Sequence, residues 1–293
     1  MTPKTILSTP DTRSFSRRRH YDRRIHSQHG SDPRSTTDVY DSIDRGNTTE
    51  EEIADDTDLP EDLRSQGVRG LQELGMIGRR EPDYYTAGFA WETGNRDLDF
   101  RMTALHNLAI EATPGEWGKQ SVVLLNYQYL LQEDIQHLHA SDQVLYEAID
   151  KWEHEQREYR PRSQQGPITL NEPKFVNWTR LADFLGLIEK ATGREYVVYP
   201  DPEMILESLR IATGDERRIA IQEYIDWLQE NLLLIDLTGE RDVPAPFART
   251  LYNLIREEKI KLVEYGDAGV VRLDRSPRRS GMEKDANSIE VIV

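Results

Sequence analysis

The chain has 293 residues, of which 37% are hydrophobic and 31% are charged, and it contains no cysteine. This length is enough for two or three small domains, because one domain usually takes ~100–200 residues. The absence of cysteine excludes a disulfide framework and thiolate catalysis. No apolar run approaches the ~18 residues that a membrane helix needs, so we expect a soluble, cytoplasmic protein with no membrane partner.

Charge is the first distinguishing property of the sequence. Asp and Glu number 53 against 37 Lys and Arg, which gives a formal net charge of −16, and 29 of the basic residues are arginine. Abundant carboxylates with few lysines and no cysteine resemble the proteins of salt-loving archaea, in which carboxylates maintain hydration at high salt. An ordinary acidic cytosolic protein is the alternative. In the first case the negative charge is no argument against DNA binding, because molar salt screens charges beyond ~3 Å.

The two ends of the chain differ in composition from the middle. Residues 1–36 are rich in Ser, Thr, Pro and Arg without periodicity, and they include the run Arg17, Arg18 and Arg19. This composition predicts a disordered basic arm. Residues 276–293 predict a disordered tail that ends in the short apolar run IEVIV.

Two short helices are predicted at the start of the segment 37–95. The first carries Val39 and Ile43 at i, i+4 spacing on one face. The second, TTEEEIADDTDL, begins with Thr49 and Glu52 at the spacing of a capping box, and its first turn is acidic, as the helix dipole favours.

A third helix and a hairpin are predicted to follow. The helix opens at Pro60, where a missing N–H costs nothing, and ends at Gly75. A strand beginning at Met76, the turn GRREPD and a returning strand at residues 84–86 complete the segment. The buried face of the third helix is formed by Val68, Leu71 and Leu74.

The order helix, helix, helix, β-hairpin resembles the winged helix-turn-helix units of archaeal and bacterial transcription regulators of the MarR and ArsR type. The stretch that carries the resemblance is EEEIADDTDLPEDLRSQGVRGLQELGMIGRREPDYYTA. The resemblance implies a winged helix over residues 37–95. In such a unit the third helix enters the major groove of DNA, and the hairpin, or wing, reaches an adjacent groove or phosphate.

Related patterns recur later in the chain. A winged-helix-like unit is predicted over residues 166–212, although its second helix is not evident, and a third unit over 213–275 has a strand, a Gly-Asp turn and a second strand. Residues 96–165 predict a helical spacer. The fold class we expect is therefore mainly α with short β-hairpins (α+β), with tandem winged-helix units joined by a helical segment.

A helix predicted over residues 120–138 bears on the oligomeric state. Its apolar positions cover more than half of the circumference. That width fits either a buried central helix or a dimerisation helix. A homodimer is therefore one of two outcomes that the sequence leaves open.

The sequence contains no recognisable catalytic arrangement. It lacks a Gly-rich phosphate-binding loop and a G-x-S-x-G nucleophile motif. His137, His139 and Asp142 are the nearest approach to a metal site, but on a helix positions i and i+2 point about 200° apart. The other histidines considered, His20, His26 and His29, lie in the arm and suit phosphate contact better. We therefore expect a non-enzymatic protein without metal or cofactor, since a hydrolase with unrecognised carboxylates would need a metal dependence that nothing here suggests.

Arginines are concentrated on the third helix and wing of the first unit, which hold four of the five arginines in residues 36–95. Arginine pairs bidentately with guanine and also contacts phosphate. The predicted DNA contacts are Arg64, Ser65, Arg69 and Gln72 on the helix, Arg79 and Arg80 on the wing, and Arg17, Arg18 and Arg19 in the arm.

Two alternatives stay open at this point. Arg64 and Arg69 could instead pair with Glu61, Asp62 and Glu73 on the surface of the same helix. The arm could likewise be a charged segment without a partner.

The sequence therefore predicts a non-enzymatic protein that binds double-stranded DNA and, by analogy with most such units, regulates transcription. The runner-up is a non-catalytic winged-helix scaffold or adaptor subunit of a larger DNA-processing or defence complex. In that case the third unit, whose turn has no positive charge, would dock protein partners. A regulator would protect a defined DNA site alone, whereas a scaffold would bind weakly and co-purify with enzymes.

Overall fold

The computed structural model describes residues 33–113, 115, 117–163, 166–238, 242–264, 271–273 and 285–292. Helices dominate and the strands form small sheets, so the expected α+β class is confirmed. Within these residues no helix is both long and apolar enough to cross a membrane. The predicted arm lies outside the described residues as far as residue 32, and Pro33 already belongs to the first helix.

Helices and strands are numbered in chain order. The helices are α1 Pro33–Asp44, α2 Glu50–Thr57, α3 Glu61–Glu73, α4 Arg96–Glu111, α5 Val122–Gln132, α6 Gln143–Gln156, α7 Glu172–Phe184, α8 Pro202–Thr213, α9 Ile221–Asn231 and α10 Ala245–Arg256. The strands are β1 Ile77–Arg80, β2 Asp83–Thr86, β3 His137–His139, β4 Arg162–Ser163, β5 Gly166–Pro167, β6 Ile188–Thr192, β7 Glu195–Val198, β8 Arg218–Ala220, β9 Asp242–Val243, β10 Ile260–Val263, β11 Val271–Leu273, β12 Asp285–Ala286 and β13 Ser288–Val291.

The first three helices and the β1–β2 hairpin occupy the places that local sequence signals predict. Thr49 and Glu52 form the expected capping box, in which each side chain accepts the other residue's backbone N–H. Gly75 follows α3 with a φ of +65°, a conformation that suits glycine. Val68 and Leu71 are buried on α3 as predicted, and Leu74 beside its end is buried too.

Helix α5 lies inside the protein. Its polar residues Asn126, Tyr127 and Gln128 are buried together with its leucines. Of the two outcomes that the sequence left open, the structure therefore shows the buried central helix, and the sequence argument for a homodimer loses its basis. The prediction that this helix continues to residue 138 is wrong, because the chain turns at Asp134, whose φ is +50°.

The strand that replaces the end of that helix joins a sheet with the order β3-β7-β6. His137 pairs with Val197 and His139 pairs with Glu195 in an antiparallel register. The turn expected at EKATGRE is shorter than predicted, because β6 extends to Thr192. Helix α6 precedes α7 and supplies the second helix that the sequence pattern lacked.

The last part of the chain contains two corrections. Strand β10 pairs with β13, so that Ile260 lies opposite Val291, and it does not pair with β11 across the predicted Gly-Asp turn. Strand β11 instead pairs with β12 and, in parallel, with β9. The prediction of a disordered tail is wrong for residues 285–292, because β13 is the central strand of the sheet β10-β13-β8.

One order of elements occurs twice in full and once in reduced form. When the short strands β4, β5, β9, β11 and β12 are left out, both α5-β3-α6-α7-β6-β7 and α8-β8-α9-α10-β10-β13 have the order helix, strand, helix, helix, strand, strand. In both of their sheets the first of these strands pairs with the third. In the first helices and hairpin Thr48 takes the place of the first strand, since its carbonyl accepts the N–H of Tyr84 at 2.8 Å. We call residues 33–86, 122–198 and 202–291 the first, second and third repeats. These ranges differ from the predicted units over 166–212 and 213–275, because each later repeat is counted here from a helix and strand upstream.

A single hydrophobic core runs through the repeats and α4. On α4, Phe100 meets Phe184 of the second repeat with ring centroids 5.9 Å apart. On the same helix, His106 Nδ1 lies 3.1 Å from the carbonyl oxygen of Asn231 in the third repeat. Helix α4 is therefore packed against both later repeats and is more than a spacer between them.

Candidate nucleic-acid interface

The position of α3 is set by its close packing on α1. A Cβ atom at Gly67 would lie 3.2 Å from the carbonyl oxygen of Ser35 and 3.2 Å from Val39 Cγ2, so the two helices meet where α3 has no side chain. Val68 and Leu71 continue this buried face. The opposite face of α3 is consequently left to solvent.

The four residues predicted to contact DNA on α3 are not equivalent. Ser65, Arg69 and Gln72 are exposed. Arg64 is only partly exposed, and its Nη1 donates to the carbonyl oxygen of Leu59 at 3.3 Å, between α2 and α3. Arg64 therefore contributes to the α2–α3 turn, and three of the four side chains are presented outward.

Arg79 and Arg80 lie on β1, whereas the sequence analysis placed them in the turn. The turn of the hairpin consists of Glu81 and Pro82. Because neighbouring strand residues point to opposite faces, the two arginine side chains lie on different faces of the hairpin. Both side chains are exposed.

Each of these arginines lies over a tyrosine of β2. Arg79 Cζ is 5.2 Å from the centroid of the Tyr84 ring, and Arg80 Cζ is 5.0 Å from that of Tyr85. Cation–π contacts of this kind attract the guanidinium to the ring face. The hairpin therefore presents two arginines whose side chains are already oriented.

The hairpin is tied to the start of α2. The hydroxyl of Tyr84 donates to Glu50 Oε1 at 3.1 Å, and the ring is buried. Burial, followed by the hydrogen bond to Glu50, raises the pKa of Tyr84. The hydroxyl of Thr48 donates to Asp83 Oδ1 at 3.1 Å and ties down the returning strand as well.

The arginines of this part of the chain fall into two groups. Arg96 pairs with Asp41 at 2.8 Å and with Asp44 at 2.7 Å, and Arg45 pairs with Asp56. Among the described residues, by contrast, no ion pair involves Arg64, Arg69, Arg79 or Arg80. The surface pairing of Arg64 and Arg69 with Glu61, Asp62 and Glu73, which the sequence left open, is thus not formed in the structure.

The equivalent helix of the third repeat, α10, is covered within the chain. Arg249 donates to Gln136 Oε1, and the hydroxyl of Thr250 donates to the carbonyl oxygen of Pro200 at 3.0 Å. Arg256 at the end of α10 is the exception, because it is exposed. Helix α10 therefore contacts the second repeat through Arg249, and it contacts the segment between the second and third repeats through Thr250.

The equivalent helix of the second repeat, α7, is more accessible. Arg180 is exposed on α7, and Lys190 is exposed on β6. Arg194 in the turn pairs with Glu172 Oε1 at 3.1 Å. Arg160 and Lys174 are exposed as well, so four cations of the second repeat are exposed without an ion pair among the described residues, against three in the first repeat.

The structure changes the reason for discounting a metal at the exposed histidines. His137 and His139 lie on a strand, so their side chains share one face, and the helical argument against joint ligation does not apply. His139 Nδ1 is 3.2 Å from the N–H of Ser141, which donates to it. In the part of the chain that the structure describes, no group of three His, Asp or Glu side chains could hold a metal ion.

Tyr84, Tyr85 and Gly78 also belong to this surface, although they were not among the residues predicted from the sequence. Arg79-Arg80 and Tyr84-Tyr85 stand at cross-strand spacing on either side of a tight turn, and that spacing was the available signal. Arg17, Arg18 and Arg19 lie outside the described residues.

Comparison with known proteins found no match to the chain among family models, curated proteins or solved structures.

Proposed function

We propose that this chain is a non-enzymatic protein that binds double-stranded DNA, built from tandem winged-helix units and acting as a transcription regulator. Its contacts with DNA are made by α3 and by the β1–β2 hairpin of the first repeat. The observation that carries the proposal is the division of arginines in this repeat and its flank. Arg45 and Arg96 are in ion pairs, whereas Arg69, Arg79 and Arg80 are exposed and form no ion pair among the described residues.

The element order supports the winged-helix assignment. Apart from the short strands β4, β5, β9, β11 and β12, two repeats have the order helix, strand, helix, helix, strand, strand, with the first strand paired to the third. In a winged helix the third helix is the one that enters the major groove. That helix in the first repeat is α3.

The chemistry of the exposed face of α3 suits this role. Arg69 offers a planar guanidinium that pairs with guanine O6 and N7, and Gln72 offers an amide that pairs with adenine. Ser65, one turn before Arg69, donates a hydroxyl to a phosphate or to a base edge. The hairpin arginines then contact the phosphate backbone beside the groove.

Only the first repeat is proposed to contact DNA through its third helix. Helix α10 is covered by the second repeat, as the contact between Arg249 and Gln136 shows. The proposed DNA contact is therefore asymmetric, because the first repeat takes part through its third helix and the third repeat does not.

Fluorescence anisotropy of a labelled random-sequence DNA duplex across a KCl series tests the proposal. The variant combines Arg69→Ala, Arg79→Ala and Arg80→Ala. We expect weaker binding and a salt slope reduced by about one for each phosphate contact removed.

A matched control variant loses three positive charges outside the first repeat. Arg160→Ala, Arg217→Ala and Arg256→Ala remove three exposed arginines that lie outside the first repeat. This control variant should bind as the wild type does. Equal losses in both variants would show that net charge alone governs binding, and absence of wild-type binding at every salt concentration would refute the proposal.

A scaffold or adaptor subunit of a DNA-processing or defence complex is the second candidate. It is favoured by the continuous core, which joins all three repeats in one body, and by the covered face of α10. DNase footprinting separates the two functions. A regulator protects a defined site alone, whereas an adaptor protects none and is recovered with enzyme partners.

A further inference from the structure

The β1–β2 hairpin contains a close contact between Gly78 and Tyr85. Gly78 and Tyr85 are cross-strand partners in the β1–β2 register. A Cβ atom at Gly78 would lie 2.2 Å from Tyr85 Cζ and 2.3 Å from the Tyr85 hydroxyl oxygen. The Tyr85 ring therefore lies across β1, directly on the backbone of Gly78, in space that any other residue would fill.

Arg80 completes this arrangement. It lies on the same face of β1 as Gly78, since the two residues are two positions apart, and its Cζ is 5.0 Å from the Tyr85 ring centroid. Its cross-strand partner Asp83 accepts a hydrogen bond from Thr48 instead. The guanidinium thus rests on a ring and is not neutralised by the carboxylate opposite.

The ring itself is unusually exposed for a large apolar side chain. Tyr85 retains 44% of its surface exposed, whereas Tyr84 on the other face retains 3%. Burial in the core therefore does not explain the position of the Tyr85 ring, which contacts Gly78 and Arg80.

We infer that Tyr85, seated on Gly78, is a positioning residue that holds the Arg80 guanidinium over its ring for a phosphodiester of the DNA backbone. This inference rests on the proposed function. A long arginine side chain loses conformational freedom when it binds, and a guanidinium already held on a ring loses less. The N–H groups of a guanidinium held over a ring can still donate to two phosphate oxygens. Arg79, on the opposite face of the hairpin, does not use this support.

A thermodynamic cycle with full-length protein and the labelled random-sequence duplex tests the inference. Tyr85→Ala should weaken binding by about three- to tenfold, from the loss of the cation–π contact and of the orientation it provides. Tyr85→Phe should bind as the wild type does, because it keeps the ring. In the Arg80→Ala background, Tyr85→Ala should cause no further loss.

Gly78→Ala is an independent variant that leaves both interacting side chains in place. The added methyl would displace the Tyr85 ring, so its affinity should fall to that of Tyr85→Ala. The salt slope separates the two roles: Arg80→Ala should lower it by about one, and Tyr85→Ala should leave it unchanged. Thermal melting of each variant verifies that the protein is folded.

Three outcomes would overturn the inference while leaving the proposed function intact. These are unchanged binding by Tyr85→Ala, a loss by Tyr85→Ala that persists undiminished in the Arg80→Ala background, and a loss by Tyr85→Phe equal to that by Tyr85→Ala. If the wild type fails to bind the duplex at any salt concentration, the proposed function fails first.

Discussion

Glu153 on α6 is a buried carboxyl whose chemistry follows from its surroundings. Its side chain is 3% exposed, and its Oε1 has no hydrogen-bond partner among the described residues. Burial, with a smaller contribution from Asp150, raises the pKa of Glu153 to about 8 from an ordinary value of 4.5. The folded protein therefore holds a proton that the unfolded chain has already lost at neutral pH.

The sign of the resulting pH dependence is fixed by this raised pKa. Stability is greatest below pH 4.5 as far as Glu153 is concerned, and it falls as pH rises through the window from 4.5 to about 8. Each pH unit in that window costs about 1.4 kcal/mol. We expect Glu153→Gln to become progressively more stable than the wild type between pH 5 and 8, as measured by urea unfolding.

Glu155→Gln is the control for this comparison, because Glu155 is exposed on the same helix. Its unfolding free energy should run parallel to that of the wild type. Parallel curves for Glu153→Gln and the wild type would show that Glu153 is not protonated in the folded protein.

At the scale of elements, the close contact between α1 and α3 depends on Gly67 and not on Gly70, one helical turn later. A Cβ atom at Gly67 would meet a backbone oxygen of α1 at 3.2 Å, whereas at Gly70 it would meet nothing nearer than Thr36 Oγ1 at 3.9 Å. Gly70→Ala should therefore gain the usual helix preference of about 0.5–1 kcal/mol. In Gly67→Ala the same helix preference should be outweighed by overpacking against α1, which costs about 1–3 kcal/mol.

Urea unfolding of the two variants gives the comparison. Gly67→Ala should be the less stable by at least about 1 kcal/mol. Equal stability would mean that α1 moves freely to admit the methyl group, and α3 would then not be held at a fixed distance.

The strand β13 is the second element with a clear energetic prediction. Ile289 is fully buried in the centre of the sheet, while Ile292, just after β13, is 45% exposed. Ile289→Ala should destabilise the protein by about 2–5 kcal/mol, and Ile292→Ala by less than about 0.5 kcal/mol. Thermal and urea unfolding of the two variants measure this contrast, and a small effect at Ile289 would exclude β13 from the core.

Elements with local signals were predictable from the sequence, and elements that depend on distant partners were not. The capping box at Thr49 and Glu52 and the stop at Gly75 each lie within a few residues of the boundary they define. Strand β3 is only three residues long, and it exists because Val197 lies opposite His137. A partner strand about sixty residues away leaves no periodic pattern in the sequence of β3 that would predict the strand.

The candidate nucleic-acid interface was likewise predictable only where local spacing along one element decides the position of a side chain. The exposed positions on α3 followed from its buried stripe, so Ser65, Arg69 and Gln72 were placed correctly on the outer face. The involvement of Arg64 with Leu59 depends on how α2 meets α3, which helical spacing does not encode. The stack of Arg80 on Tyr85 needs the strand register.

At the scale of the whole molecule, the three repeats are packed together and are not separate domains joined by linkers. The core is continuous from the first repeat to β13, and α4 contacts both later repeats. Covering α10 with the second repeat removes one potential DNA-contacting helix and adds stability to the body. In the proposed function it is the first repeat, whose α3 keeps an exposed outer face, that approaches DNA.

The excess of carboxylates predicts opposite effects of salt on folding and on DNA binding. With a net charge of −16, self-repulsion opposes the compact state, and raising KCl from about 0.1 to 2 M shortens the Debye length to a few ångströms and relieves it. The melting temperature should therefore rise over this range, while DNA affinity falls because releasing counterions into more concentrated salt gains less entropy. A variant with Glu73→Gln, Glu133→Gln and Glu230→Gln removes three exposed carboxylates at helix C-terminal ends, where the helix dipole disfavours negative charge. It should melt higher than the wild type at low salt, and its melting temperature should rise less with KCl.

A wild-type melting temperature that stays constant or falls as KCl rises would contradict the idea that the acidic surface is adapted to high salt. The negative charge would then oppose DNA binding.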